Sequence, residues 1–270
     1  MSDEVVARHQ YLMEHSDEVA RLNQKTLVER VIRQATWAGL RKGMRVLDVG
    51  CGGGLTTSIL GSVSGKAEGL DFSQERIGYA RDHYPACQFH CRDIYKSLDD
   101  MGTFDFIWVR FFLEYHGRSA FQIIQRLVAL LGPGGIICLG DLDHNCRNHY
   151  PIDDRMARAL EGLFGHLAEH GDWDPYAGRK LYTHLFDAGL EHIDVSVEAH
   201  HLLTGTMTQT EEENWLAKVN VAASGSGYAF EEYPGGFADF VADAKRLFSD
   251  QRRFTYTPII LCRGVKPATG

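Results

Sequence analysis

No stretch of this sequence stays apolar for the roughly 18 residues that a membrane-spanning helix requires, so no spanning segment is expected. No run of lysine and arginine reaches five in a row, and the formal net charge is −8. Binding to nucleic acid or to an acidic lipid surface rests on basic side chains that neutralise phosphates. Neither is therefore an expected partner. The six cysteines are scattered and include no Cys-x-x-Cys pair. Cys87, Cys91 and Cys138 fall in stretches that read as strands, where a free cysteine packs as a small hydrophobe. That usage points to the reducing cytoplasm. The first residues are acidic and helical in pattern, so no signal peptide is expected. Internal repeats and low-complexity tracts are missing too.

What is present is ordinary in amount and informative in order. The 270 residues suffice for one large domain with a sizeable core. Apolar residues make up 44% and charged residues 24%, the balance of a globular chain. Residues 3–39 read as helix: Val19, Leu22, Leu27, Val31 and Trp37 recur at roughly helical spacing, and Gly39 and Gly43 close the run. Strands are then expected near 44–49, 66–71, 86–91, 104–109 and 135–140, with helical stretches between them. Alternation of this kind means a parallel sheet with helices on both faces and right-handed crossovers. After Asp141 the rhythm breaks. An extra helix is expected over 151–170, a helix at 178–188, a strand at 191–203, helices at 210–223 and 236–249 around the loop Ser224–Gly227, and a last strand at 254–262.

The most telling stretch is Val46-Leu47-Asp48-Val49-Gly50-Cys51-Gly52-Gly53-Gly54, a short apolar strand running into four glycines among five residues. Glycine permits positive φ and lets a ligand approach bare backbone. The helix expected from Leu55 onward offers its unpaired N–H groups to an anionic part of that ligand. Twenty-one residues after Gly50, a second strand ends in Asp71, a spacing that suits a ribose hydroxyl pair. The chain is thus expected to bind a nucleoside-bearing cofactor. A dinucleotide fingerprint needs Gly-x-Gly-x-x-Gly. Gly50 and Gly52 satisfy its first two positions, but Leu55 stands at the third.

The string from Val46 to Gly54 closely resembles the signature of class I S-adenosylmethionine-dependent methyltransferases. Further resemblances follow in that family's order. Gly69-Leu70-Asp71-Phe72-Ser73 resembles the ribose-binding strand end, and Cys91-Arg92-Asp93-Ile94 resembles the adenine site. The run from Phe104 through Arg110 to Tyr115 and His116 resembles the fourth strand and the segment under the methionyl group. Leu131-Gly-Pro-Gly-Gly135 resembles the turn into the fifth strand. The likeness covers residues 40–145. It implies an α/β fold with a Rossmann-like, seven-stranded, mostly parallel sheet whose last strand is antiparallel. It also implies S-adenosylmethionine as cofactor, with S-adenosylhomocysteine released. The cofactor contacts it implies are Gly50, Cys51, Gly52, Asp71, Phe72, Asp93 and Ile94. Arg110, at the end of the very apolar stretch Phe106-Ile107-Trp108-Val109, is expected to have a partner and is placed with the cofactor contacts, at the methionyl carboxylate, or on the wall of the acceptor pocket. Glu18-Val-Ala-Arg21-Leu22-Asn-Gln24 is similar to a segment that closes the cofactor site in some small-molecule members, which adds Tyr11 and Arg21.

The expected organisation is one methyltransferase domain. Residues 1–40 form an N-terminal helical extension, 41–145 the cofactor-binding core, and 146–180 and 205–250 helical insertions that cap the carboxyl edge of the sheet. Ligands of open α/β sheets bind at that edge. The aromatics Phe164, Trp173, Tyr176, Trp215, Tyr228, Phe230 and Tyr233 suit either an apolar acceptor pocket or the core of the cap. Methyl transfer is an in-line displacement that needs alignment and exclusion of water. A base is needed only where the acceptor must lose a proton. His144, in Asp141-Leu142-Asp143-His144-Asn145, is the base candidate because it leaves the fifth strand at the carboxyl edge. His116, His200 and His201 are further candidates.

Asp141, Asp143, His144, Cys146 and His149 are ligand-type residues, as are His83, Cys87, His90 and Cys91. The first group departs from the metal pattern of catechol-type members, and the second sits on a strand, so no metal is expected. The cysteine pairs of arsenic methyltransferases are missing. No Asn-Pro-Pro-Tyr element follows the fourth strand, which argues against amino methylation of nucleobases or glutamine amides. The expected activity is methyl transfer to a small-molecule acceptor. An NAD(P)-dependent oxidoreductase and a non-catalytic S-adenosylmethionine-binding regulatory protein stay open as alternatives. The acceptor, the atom methylated and the oligomeric state, a homodimer included, are not legible.

Overall fold

A computed structural model describes residues 27–145, 147–170 and 172–268. Tyr11, Arg21, Cys146 and most of the helix expected over 3–39 lie outside the described residues. The first described helix, α1 (Val28–Ala38), buries Val31, Ala35 and Ala38 and stops at Gly39. Gly39 has φ +103°, a conformation that glycine adopts without strain. Its N–H donates to the Thr36 carbonyl at 3.0 Å and the Leu40 N–H to the Ala35 carbonyl at 2.9 Å, the paired bonds of a Schellman stop.

Strand and helix then alternate as β1 (Arg45–Val49), α2 (Leu55–Ser64), β2 (Lys66–Asp71), α3 (Gln74–His83), β3 (Gln88–Cys91), β4 (Phe104–Arg110), α4 (Ala120–Ala129) and β5 (Leu131–Leu142). The second half adds β6 (Asn148–Tyr150), α5 (Asp154–His170), α6 (Ala177–Asp187), β7 (Glu191–Thr204), α7 (Gln209–Ser226), α8 (Phe237–Ser249) and β8 (Phe254–Val265). Strands β3, β2, β1, β4 and β5 pair in parallel in that spatial order. Strand β8 closes the sheet antiparallel to β5, and β7 pairs with the other edge of β8, also antiparallel.

The expected sheet is therefore present, with one difference in count. Eight strands are found among the described residues, because β6 pairs with Phe254–Tyr256 of β8. A three-residue strand is too short to show the period-2 alternation from which a strand is read. Some boundaries differ as well. Strand β5 takes in the Gly132–Gly135 stretch expected as a turn, and α7 runs through Ser226 to end at Gly227, φ +76°, absorbing most of the expected loop.

The sheet separates two apolar layers. On one face Leu47, Ile107, Ile137 and Leu139 meet α4 and α6 through Ile123, Leu127 and Leu181. On the other, Val46, Phe106, Trp108 and Cys138 meet α1 and α2 through Val31, Ala35 and Leu60. A third core lies within α5, α7 and α8, where Leu163, Phe164, Trp215, Phe230, Phe240 and Phe248 are buried together. No helix among the described residues is long and apolar enough to cross a membrane.

Candidate active site

The site begins at the carboxyl end of β1. Gly50, Gly52 and Gly54 have φ of +70°, +53° and +87°, values that side chains other than glycine adopt only with strain. Packing excludes a side chain as well. A Cβ on Gly50 would lie 2.5 Å from Phe112, and one on Gly54 would lie 2.8 Å from Ala80 and Phe89. Helix α2 starts directly behind the turn, and its N-cap, Gly54, provides no side-chain acceptor. The N–H groups of its first turn are thus left for a ligand. Gly50, Cys51, Gly52, Gly53, Leu55 and Thr56 all line a cavity of about 260 Å³.

Below the turn sits Asp48, buried, accepting from Thr57 Oγ1 at 2.7 Å. Burial pushes its carboxyl up to about 7 against the pull of that bond. The folded state therefore holds the Asp48 proton through a pH range in which the unfolded chain has released it. Stability is expected to fall as pH rises from about 4 through about 7, by at most roughly 1.4 kcal/mol per pH unit for one proton. An Asp48→Asn variant avoids that ionisation. Its stability relative to wild type, measured by denaturant titration, is expected to improve between pH 5 and pH 8. A difference that stays flat or reverses sign would contradict the raised affinity for the proton.

Asp71 ends β2 next to the turn. Its Oδ2 accepts the Gly52 N–H at 2.9 Å, while Oδ1 accepts the Ser73 N–H at 2.9 Å and the Arg76 guanidinium at 3.0 Å. Phe72 follows and is 56% exposed. The Asp71 carbonyl accepts the Arg92 N–H at 3.0 Å, which brings Asp93 and Ile94 alongside. Asp93 Oδ1 accepts the Tyr95 N–H at 2.9 Å. These four residues stand at the carboxyl ends of β2 and β3. They are outside the cavity lining and are joined to it through Gly52.

Arg110 ends β4 and lines the cavity. Its partner across the sheet is Gly140, whose missing side chain leaves room for the Arg110 stem. The guanidinium lies 4.2 Å from the centre of the Phe111 ring, and Nε has no hydrogen-bond partner among the described residues. Burial, reinforced by Arg30 nearby, pulls its pKa down to about 10. Phe111 itself has φ +55°, a strained conformation for a residue with a side chain. The bond from its N–H to the Gly140 carbonyl at 2.9 Å and the seating of Phe112 against Gly50 hold it there.

The remaining walls come from the second half of the chain. Phe164, Trp173 and Trp215 line the cavity as the acceptor-pocket reading expects, joined by Met156, Leu160, Leu163, Phe240 and Phe248. Phe230 and Tyr233 instead belong to the core of the helical cap, and Tyr176 packs on His144. His200 and His201 are neighbours in sequence, yet both line the cavity. Adjacent strand residues normally face opposite sides. A bulge resolves this: the pairing of β7 with β8 steps from Ala199–Pro258 to His201–Thr257, leaving His200 as the extra residue. Burial pushes the His200 imidazole down to about 2, so it is neutral.

His144 does not line the cavity. Its ring meets Tyr176 edge-on at 4.9 Å, and burial lowers its pKa. Two nearby residues take the place expected of it. Asn145 and His149 both line the cavity, with His149 Nδ1 2.9 Å from Thr255 Oγ1. Asp141 and Asp143 have separate partners. Asp141 accepts peptide N–H groups from Leu113 at 2.8 Å and Glu114 at 3.2 Å, whereas Asp143 binds Arg179 through both oxygens at 2.7 and 2.8 Å.

Sequence reasoning did not single out Glu114. It follows β4 in a single 3₁₀ turn, is 3% exposed, lines the cavity and accepts from Asn145 Nδ2 at 2.9 Å. Burial pushes its carboxyl up to about 7. Burial, with Glu114 adding to it, also raises Asp141. The only signal in the sequence was an acidic residue inside an otherwise apolar run, Phe111-Phe112-Leu113-Glu114.

Residues 46–135, which include the turn, match a known family model described as a methyltransferase domain. The chain carries a class I, S-adenosylmethionine-dependent methyltransferase domain. Among curated relatives of this methyltransferase domain, a ubiquinone biosynthesis O-methyltransferase of Coxiella burnetii is 34% identical over 108 residues, 38% of this chain and 46% of that protein. One of the same name from Vibrio parahaemolyticus is 30% identical over 112 residues, 40% of this chain and 47% of that protein. The chain spans about half the length of the curated relatives it matches. A putative methyltransferase structure from Bacillus halodurans superposes with a TM-score of 0.58 at 16% identity, covering 88% of this chain and 99% of that one. The phosphoethanolamine N-methyltransferase 2 of Haemonchus contortus, solved with S-adenosyl-L-methionine, gives 0.52 at 14% identity over 88% of this chain and 52% of that one. These two likenesses are likenesses of fold.

Proposed function

We propose that the protein transfers a methyl group from S-adenosylmethionine to a small-molecule acceptor, releasing S-adenosylhomocysteine. The observation that carries this reading is a single cavity lined on one side by the glycine turn and on the other by the aromatic residues of the helical cap. One molecule reaching the turn and a second among the aromatics would meet within it.

The residues present fit the cofactor. The uncapped start of α2 suits the methionyl carboxylate, and the buried, unpartnered Nε of Arg110 adds a donor. Asp71 Oδ1 already accepts from the Ser73 N–H and from Arg76 Nε and Nη2, so the capacity proposed for the ribose hydroxyls lies on Oδ2, which accepts from the Gly52 N–H. The exposed Phe72 ring offers a face to the adenine, with Asp93 and Ile94 at its edge. Tyr11 and Arg21 remain proposed contacts from the segment outside the described residues. When bound, the cofactor supplies an electrophilic methyl group on a sulfonium. The protein's own task is to hold the acceptor in line and keep water out, which the walls of Trp173, Trp215 and Phe240 serve.

The domain organisation proposed is one methyltransferase domain whose insertions at 146–180 and 205–250 form the acceptor side. The name of the curated relatives favours oxygen as the methylated atom. The free thiols of the described cysteines suit a reducing compartment such as the cytoplasm. The oxidoreductase alternative is not favoured, since Leu55 stands where a dinucleotide fingerprint needs glycine.

The reading is tested by incubating the protein with methyl-labelled S-adenosylmethionine and a deproteinised small-molecule extract. Label is expected in solvent-extractable products, with S-adenosylhomocysteine formed alongside. No label in the small-molecule products, with label appearing instead in protein or nucleic acid when a whole extract is supplied in parallel, would contradict the small-molecule acceptor.

A further inference from the structure

Among the described residues two carboxylates line the cavity, Asp48 and Glu114. Asp48 lies beneath the glycine turn, tied to Thr57 of α2. Glu114 stands among cap residues instead. Its own backbone is fixed on both sides: its N–H donates to Asp141 Oδ2 at 3.2 Å, and its carbonyl accepts the Asp174 N–H at 2.7 Å. Its carboxylate accepts from Asn145 Nδ2 at 2.9 Å, with Trp173 and Tyr115 as further donors. A carboxylate buried in an apolar wall is expensive to maintain. One that is held still, lines a ligand cavity and has an acceptor site to spare is arranged to receive a proton donor from a ligand.

The charged groups around it set when it can do so. Asp141 stands behind Glu114, turned from the cavity, its oxygens taken by the peptide N–H groups of Leu113, Glu114 and Leu142. Burial holds the Glu114 proton up to about 7, against the Asn145 hydrogen bond and Lys218 from α7, which pull the other way. His149 and His201 face the same cavity from β6 and β7. The walls nearby are flat and aromatic: Trp173, Phe164, Trp215 and Phe240. Such walls take the faces of a ring.

We propose that Glu114 is the proton acceptor of the acceptor subsite, receiving the hydrogen bond of an O–H or N–H nucleophile carried on a small, apolar, ring-bearing molecule and taking its proton as the methyl group arrives. The step balances. The acceptor's heteroatom gains the methyl carbon and gives its proton to the Glu114 carboxylate, which passes it to solvent. The electron pair of the broken carbon–sulfur bond stays on sulfur. This proposal rests on the methyl-transfer reading.

The test uses the full chain saturated with S-adenosylhomocysteine and two probes that differ in one group, 2-naphthol and 2-methylnaphthalene, titrated by calorimetry. At pH 8, with Glu114 ionised, 2-naphthol is expected to bind at least about tenfold tighter, the worth of one charged hydrogen bond. At pH 5.5, with Glu114 protonated, the preference is expected to shrink to about threefold or less. Glu114→Gln is expected to lose this pH dependence while keeping its affinity for S-adenosylhomocysteine. Glu114→Asp, which retains a titrating group, is expected to keep the dependence with weaker binding, and it serves as the test if Glu114→Gln does not fold. Equal binding of the two probes, no binding of 2-naphthol, or a pH dependence that survives in Glu114→Gln would each overturn the proposal while leaving methyl transfer standing. Failure of S-adenosylhomocysteine itself to bind would overturn both.

Discussion

Asp71→Ala is expected to weaken S-adenosylhomocysteine binding by about 100-fold or more, while the protein stays folded. Asp71 sits where two strand ends and the glycine turn meet, its oxygens already receiving the Gly52 and Ser73 N–H groups and the Arg76 guanidinium. Those bonds aim the carboxylate. Hydrogen bonds to an ionised group contribute about 1.5–3 kcal/mol each. Loss of a ribose hydroxyl pair at the low end of that range already amounts to about 100-fold. Alanine also removes the acceptor that fixes Gly52, so the turn loses definition on the methionyl side. Asp71→Asn keeps one acceptor oxygen for Gly52 and is expected to fall between wild type and alanine. The measurement is calorimetric titration of each variant, with circular dichroism as the check on folding. Affinity within about threefold of wild type in the alanine variant would remove Asp71 from the cofactor site.

Phe240→Ala is expected to lower stability by about 3–5 kcal/mol, the range for deleting a buried phenylalanine side chain. Phe240 is 1% exposed. Its ring centre lies 4.8 Å from that of Phe230 and 5.7 Å from that of Tyr233, distances at which aromatic pairs add to simple burial. It also borders the existing cavity, so the space left behind joins an opening already present and the neighbouring helices gain little by collapsing into it. Denaturant unfolding measures the loss. Affinity for S-adenosylhomocysteine is expected to change little, because none of the proposed cofactor contacts belongs to α8. A loss below about 1 kcal/mol would mean that α8 does not depend on this aromatic cluster.

The cofactor half of the molecule was legible because its determinants are local. Gly50, Gly52 and Gly54 announce a turn whatever surrounds them, and the spacing from Gly50 to Asp71 is one strand–helix–strand unit. The acceptor half depends on contacts between distant residues. Glu114 is buried because Asp141, 27 residues later, receives its peptide N–H, and nothing in Leu113-Glu114-Tyr115 announces that. His144 and His149 lie five residues apart on one loop and strand. Which of them faces the cavity is decided by the pairing of β6 with β8, a strand too short to be read. The bulge that brings His200 and His201 to the same wall leaves no trace in composition either. The helical spacing of α8 was plain, but not that Phe240 and Phe248 would border a cavity, since an apolar helix face reads alike whether it meets a core or a ligand.

The measurement to make on the wild-type protein is calorimetric titration with S-adenosylhomocysteine, with NAD titrated in parallel. The glycine turn, the uncapped start of α2 and Asp71 together predict saturable binding of S-adenosylhomocysteine at micromolar or tighter affinity and no measurable binding of NAD. Preference for NAD, or no binding of S-adenosylhomocysteine, would contradict the assignment of this turn to the methyl-donor cofactor and with it the proposed transfer.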